Sequence, residues 1–177
     1  GAKLTFSNNG KLVLESDNNQ LFPELLPGGK TFTDFRLDID AGLTHGDQAN
    51  GYGVYIRAAS TQSSTLGLYY RFEVYGDGSF VVYKGTQNAT TGKQEDDPLT
   101  SVNAQPNKAI NPAGQMNHLT IVAKGSSLEF LVNGVAVTSF TDASYKGGTA
   151  ALFVSNVQKV TGGAQATFAN LAIFPVQ

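Results

Sequence analysis

Cysteine is absent from the 177-residue chain, which excludes disulfides, thiolate metal sites and thiol catalysis. The absence does not place the protein in the cytosol, because a core of this size needs no covalent staples. Tryptophan is absent too, which weakens the case for a sugar platform of the commonest kind. The only histidines, His45 and His118, stand far apart in sequence, so a zinc site built on His or Cys is not expected. Charge is scarce: 15% of residues are charged, the net charge is −2 and the pI is about 5.6. No electrostatic footprint for nucleic acid exists. No run approaches the ~20 consecutive apolar residues of a membrane span, so no membrane insertion is expected. Gly1-Ala2, leading at once into a polar-alternating stretch, reads as the start of a processed or excised segment rather than a signal peptide.

What replaces charge is Ser, Thr, Asn, Gln and 20 glycines, the profile of an all-β domain with many turns. Hydrophobic alternation of period two runs almost end to end. Phe35, Leu37 and Ile39 alternate with Asp34, Arg36, Asp38 and Asp40; Val54 and Ile56 with Tyr55 and Arg57. Tyr70, Phe72 and Val74 alternate with Tyr69, Arg71, Glu73 and Tyr75. The stretches 118–124 and 128–133 do the same. Each pattern predicts a strand with one buried face, and no window carries a helical stripe. Asn133-Gly134 marks a two-residue hairpin, since both positions tolerate positive φ; Gly76-Asp77-Gly78 and Gly125-Ser126-Ser127 mark further turns. Roughly a dozen short strands with such turns predict two stacked antiparallel sheets, a jelly-roll sandwich forming a single domain over residues 1–177. Residues 86–115 stand out as a long segment without a clear strand, expected to be a functional or mobile rim loop. Asn88-Ala89-Thr90 within it is a glycosylation sequon, given little weight.

The order of several runs resembles a known family. These are Asp34–Asp40, Gly51-Tyr-Gly-Val-Tyr-Ile-Arg57, Tyr70-Arg-Phe-Glu-Val-Tyr-Gly-Asp-Gly78, Asn117–Gly125, Leu128-Glu-Phe-Leu-Val-Asn-Gly134 and Phe168–Ile173. Together they resemble the concanavalin A-like lectin/glucanase superfamily, and within it bacterial 3-keto-disaccharide hydrolase-like (LamG-like) domains. The resemblance implies two sheets, one concave and one convex, an extracellular or cell-surface setting, and sugar ligands bound or cleaved on the concave sheet. It also implies a structural calcium ion as an option. Glu95-Asp96-Asp97, Asp47 and Asn170 are the oxygen donors to consider for it, although adjacent loop acids are usually just solvated.

The laminarinase-like Glu-x-Asp signature of the superfamily is missing: Glu73 is followed two residues later by Tyr75. Asp38 and Asp40 share a strand face with Arg36 and read as a solvated face rather than a carboxylate pair for glycoside cleavage. The stronger constellation is cross-strand. By parity Tyr55, Arg57, Tyr69, Arg71 and Glu73 share the face opposite the core, with Tyr75, and Tyr83 joins from the next strand. Tyrosine rings can stack on a sugar's C–H face, while arginine and glutamate order its hydroxyls. The competing reading is a cross-strand salt bridge shielded by aromatics.

The leading expectation is therefore a non-catalytic carbohydrate-binding or ligand-sensing module of a bacterial extracellular protein. It would be monomeric, without a cofactor, and would dock an oligosaccharide or polysaccharide on Tyr55, Arg57, Tyr69, Arg71, Glu73 and Tyr83. Truncating Arg71 or Tyr55 is expected to weaken binding without unfolding the domain. The alternatives are a glycoside-cleaving enzyme, with Glu73 partnered by Glu95 or Asp97 from the 86–115 segment, and a structural or protein-interaction domain.

Overall fold

The computed structural model describes all residues except 8, 18–19, 63, 102, 157–161 and 177. Numbered in chain order, the strands build two sheets. The first runs β1 (Ala2–Phe6), β2 (Leu12–Ser16), β14 (Ala164–Pro175), β4 (Phe35–Gly46), β10 (Asn117–Lys124), β11 (Ser127–Val132), β12 (Val135–Thr141). The second runs β3 (Leu21–Leu25), β13 (Thr149–Ser155), β5 (Gly51–Ala59), β6 (Leu68–Tyr75), β7 (Ser79–Gln87), β8 (Gln94–Pro98). A two-residue strand, β9 (Gln105–Pro106), pairs with the start of β7. Every named pairing is antiparallel, and no helix occurs among the described residues. The result is a two-sheet jelly-roll sandwich of the concanavalin A-like kind.

The alternation puts one set of side chains between the sheets. Leu37, Ile39, Ile121 and Phe130 of the first sheet meet Val54, Ile56, Phe72, Val74 and Val82 of the second, all fully buried. The Asn133-Gly134 turn closes the β11–β12 hairpin with positive φ at both residues, 51° and 80°, as the twist of the flanking strands requires.

Two features depart from the pattern read in the sequence. The segment 86–115 is not strandless. β7 extends to Gln87, and β8 pairs along it as the edge of the second sheet. Gln94-Glu-Asp-Asp-Pro98 carries no hydrophobic alternation, because an edge strand exposed on most of its surface is kept soluble by charge and proline. The Asn88 side chain shapes the β7–β8 turn, accepting the N–H groups of Thr90 and Thr91. The second departure lies in β5. Register slips by one residue against both neighbouring strands, between Tyr55 and Ala58 on the β13 side and between Ile56 and Ala59 on the β6 side, and Arg57 takes φ 48°. This is a β-bulge with a left-handed residue, and it reverses the parity of every side chain after it.

Candidate functional site: a tyrosine-lined pocket around Arg71

The bulge decides which arginine belongs to the site. Arg57 turns inward and bridges the sheets at one end of the sandwich. Its Nε and Nη2 donate to Thr33 O at 3.1 and 2.7 Å, its Nη1 to Gly125 O at 2.7 Å and Tyr145 O at 3.0 Å. Asp34 lies 3.3 Å from Nη2. The expectation that Arg57 shares a face with Tyr55 is therefore corrected: alternation counts residues, and the bulge adds one.

The other five residues meet on the outer face of the second sheet. Arg71 is the centre of the middle strand β6, with Tyr55 of β5 and Tyr83 of β7 as its direct cross-strand neighbours. Tyr55 and Tyr69 pack edge to face at 4.7 Å, with Phe153 behind Tyr55 at 5.2 Å. The guanidinium carbon lies 4.5 Å from the Tyr83 ring centre, a cation–π distance. Around this floor stand Leu66, Leu21, Pro23, Tyr75, Gln94 and Asp96, enclosing a cavity of about 500 Å³.

Arg71 is ion-paired twice. Nε lies 3.2 Å from Glu73 Oε2 and Nη1 3.0 Å from Asp96 Oδ2, and Nη1 also donates to the Tyr55 hydroxyl at 3.3 Å. The Nε–H, although close to Glu73, is not aimed at it and has no hydrogen-bond partner. Tyr69 donates its hydroxyl proton to Asp96 Oδ1 in a short hydrogen bond. Arg71 is 6% exposed and Glu73 2%. Burial pushes the Glu73 carboxyl above its ordinary range, a rise that Arg71 and a hydrogen bond from Ser155 only partly oppose. Burial works against the Arg71 charge, but Glu73, Tyr55 and Asp96 outweigh it and hold the guanidinium ionised.

Asp96 is the site residue that sequence reasoning did not choose. Glu95 and Asp97, named as partners for Glu73, point away from the pocket: Glu95 accepts from Asn88 Nδ2 at 2.9 Å and Asp97 faces Thr86. Once β8 is seen as a strand, parity alone selects Asp96, which pairs with Gly85 in the ladder. Two glycines make room for the site. A Cβ on Gly85 would run into the Tyr69 ring, and one on Gly51 into the Glu73 carboxylate. Gly85→Ala is thus expected to displace the Tyr69 ring and destabilise the domain by about 1–3 kcal/mol, the usual cost of overpacking, checked by urea melts.

Burial also raises the phenols. Tyr52 and Tyr55 are pushed up to about 12 by loss of hydration, and Tyr69 and Tyr75 are raised for the same first reason. An unfolded chain ionises its tyrosines near pH 10, so the folded state holds more protons above that pH and its stability falls as pH rises through 10. Phenolate absorbance is expected to lag at pH 10–11 and then jump as the protein unfolds; a smooth seven-tyrosine titration near pH 10 would contradict the buried pocket.

The remaining candidates lie elsewhere. On the outer face of the first sheet, Arg36 donates to Asp38 at 2.7 and 3.0 Å, His118 Nδ1 lies 2.7 Å from Asp40, and Asn170 donates to Asp40 at 2.7 Å. These partners hold both aspartyl groups below their ordinary range. Asp47 accepts the Ala49 N–H, and His45 is exposed on β4. Among the described residues no His/Asp/Glu group is arranged to hold a metal ion. A second cleft of about 330 Å³ near Leu4, Phe6, Leu12, Leu25 and Leu152 offers, among the described residues, only Glu24 and Asn170 as polar side chains.

A profile of the 3-keto-alpha-glucoside-1,2-lyase-like domain matches residues 1–171. The chain belongs to that family. No curated protein sequence matches it. Among solved structures, it is similar to the carbohydrate-binding module CBM66 from Bacillus subtilis, with 16% identity over 98% of this chain and 91% of that one, TM-score 0.72. It is also similar to a putative glycosyl hydrolase from Parabacteroides distasonis, with 13% identity over 98% and 83%, TM-score 0.63. The alginate lyase A1-II′ of polysaccharide lyase family 7 shares 12% identity over 97% and 82%, TM-score 0.61. At these identities the likenesses show the fold alone, the two-sheet sandwich described above.

Proposed function

We infer that the pocket around Arg71 binds a sugar and that the domain serves as a non-catalytic carbohydrate-binding or ligand-sensing module of a bacterial extracellular or cell-surface protein. The observation that carries this reading is the composition of the cavity. Flat rings of Tyr55, Tyr69 and Tyr83 surround one guanidinium and two carboxylates, the donors and acceptors that read hydroxyl groups. The Tyr55 proton remains free to donate, because its oxygen accepts from Arg71. Tyr83 is the half-buried ring at the mouth, so its loss should cost binding and little stability. Tyr83→Ala is expected to weaken glycan binding at least tenfold with a melting temperature within a few degrees of wild type. Unchanged affinity would remove the pocket from the account.

One observation favours a second reading. The buried Glu73 carboxyl is pushed up, which suits a general acid or base, and Asp96 rather than Glu95 or Asp97 would be its partner across Arg71. In that case Glu73→Gln abolishes turnover of a 3-keto-glucoside while sugar binding persists; full turnover in that variant would remove the role.

A further inference from the structure

Resting on the reading of the pocket as a sugar site, we propose that Asp96 sets its charge selectivity, so that the pocket accepts uncharged sugar residues and rejects uronates. The described lining supplies a single cation. Among the described residues Arg71 is the only Lys, Arg or His in the lining, and its two ion pairs are with carboxylates of the same pocket, Glu73 at 3.2 Å and Asp96 at 3.0 Å. Both carboxyl groups face this one guanidinium, so the described site has no cation to spare, and its floor is almost fully buried. A uronate carboxylate entering there would meet like charge and find no unpaired cation, a penalty that low local dielectric enlarges and salt screens poorly. An uncharged hydroxyl loses nothing by the same arrangement, because the carboxylates accept from it.

Asp96 is the adjustable half of this balance. Glu73 lies on the middle strand and is fully enclosed, whereas Asp96 comes from the edge strand β8 and remains about one-third exposed, 35%. It reaches Arg71 and the Tyr69 hydroxyl from the rim, where an incoming sugar substituent would approach. Asp96→Asn keeps the shape, preserves an acceptor for Tyr69, and leaves Arg71 with one carboxylate instead of two. That variant removes one of the two partners of Arg71 and so gives an incoming carboxylate a place at the guanidinium.

The test is a binding screen on the whole chain, using an array of neutral gluco-, manno-, galacto- and fructo-oligosaccharides beside alginate, pectin and glucuronate oligosaccharides. Wild type, Asp96→Asn and, as a control on the same strand with its side chain turned away, Asp97→Asn are compared after their melting curves confirm folding. The expected result is neutral hits in wild type, uronate signals at least tenfold weaker, and a gain of at least tenfold on uronates in Asp96→Asn alone. Wild-type binding of uronates as strong as of neutral sugars overturns the charge selectivity and leaves the sugar site standing. So does an Asp96→Asn variant that keeps neutral binding and gains nothing on uronates. If no sugar of either kind binds any of the three proteins, the sugar-site reading falls and the selectivity falls with it.

Discussion

Arg71→Ala is expected to abolish sugar binding and also to destabilise the domain by about 3–5 kcal/mol, the usual cost of removing one partner from a buried pair. The sequence alone points to an exposed arginine whose truncation spares the fold. The structure places it 6% exposed over a Glu73 that is 2% exposed, so the change strands a carboxylate without its counter-charge. The sign of the pH dependence follows. The Glu73 carboxyl already sits above its unfolded value, and losing Arg71 raises it further. The folded state then holds a proton that the unfolded chain releases, so stability falls as pH rises through and above the ordinary glutamate range. Arg71→Ala should accordingly be closer to wild type at pH 5 than at pH 8 in urea melts. The double variant Arg71→Met/Glu73→Gln should recover much of the stability and none of the binding, separating the two roles. A single variant as stable as wild type at pH 8 would contradict the buried pair.

The second large effect is at Arg57. Its guanidinium donates to the Thr33, Gly125 and Tyr145 carbonyls, joining the approach to β4, the β10–β11 turn and the segment after β12. Arg57→Ala removes a fully buried charged donor from these three carbonyls, each bond being worth about 1.5–3 kcal/mol. At about 2–4 °C per kcal/mol for a chain of this size, a fall in melting temperature of roughly 10 °C or more is expected. Sugar binding by the folded fraction should be unchanged, because Arg57 is not among the residues that line the pocket. Lost binding in folded Arg57→Ala, with stability intact, would return Arg57 to the site.

These two arginines also show where sequence reading succeeds and where it stops. The core face of β4, β5, β6, β10 and β11 was legible because one buried face imposes period two. The same count placed Tyr55, Tyr69, Arg71, Glu73 and Tyr83 on one outer face, where the structure brings them together. Parity failed at Arg57, since a single inserted residue reverses facing and a left-handed arginine leaves no composition signal. It failed again at β8, where an edge strand made of Gln, Glu, Asp and Pro carries no alternation, and Asp96 was hidden between two acids of equal appearance. The burial of Arg71 was not legible either. It depends on walls from Leu66, Pro23 and β8, which are distant in sequence.

The central claim is that the pocket around Arg71 is a sugar site. The most direct measurement is a glycan-array screen of wild type, Tyr83→Ala and Arg57→Ala, run side by side at matched folded concentration. The account predicts specific glycan hits for wild type that persist in Arg57→Ala and fade at least tenfold in Tyr83→Ala. Hits that survive undiminished in Tyr83→Ala, or no hits with the wild-type protein, would contradict it.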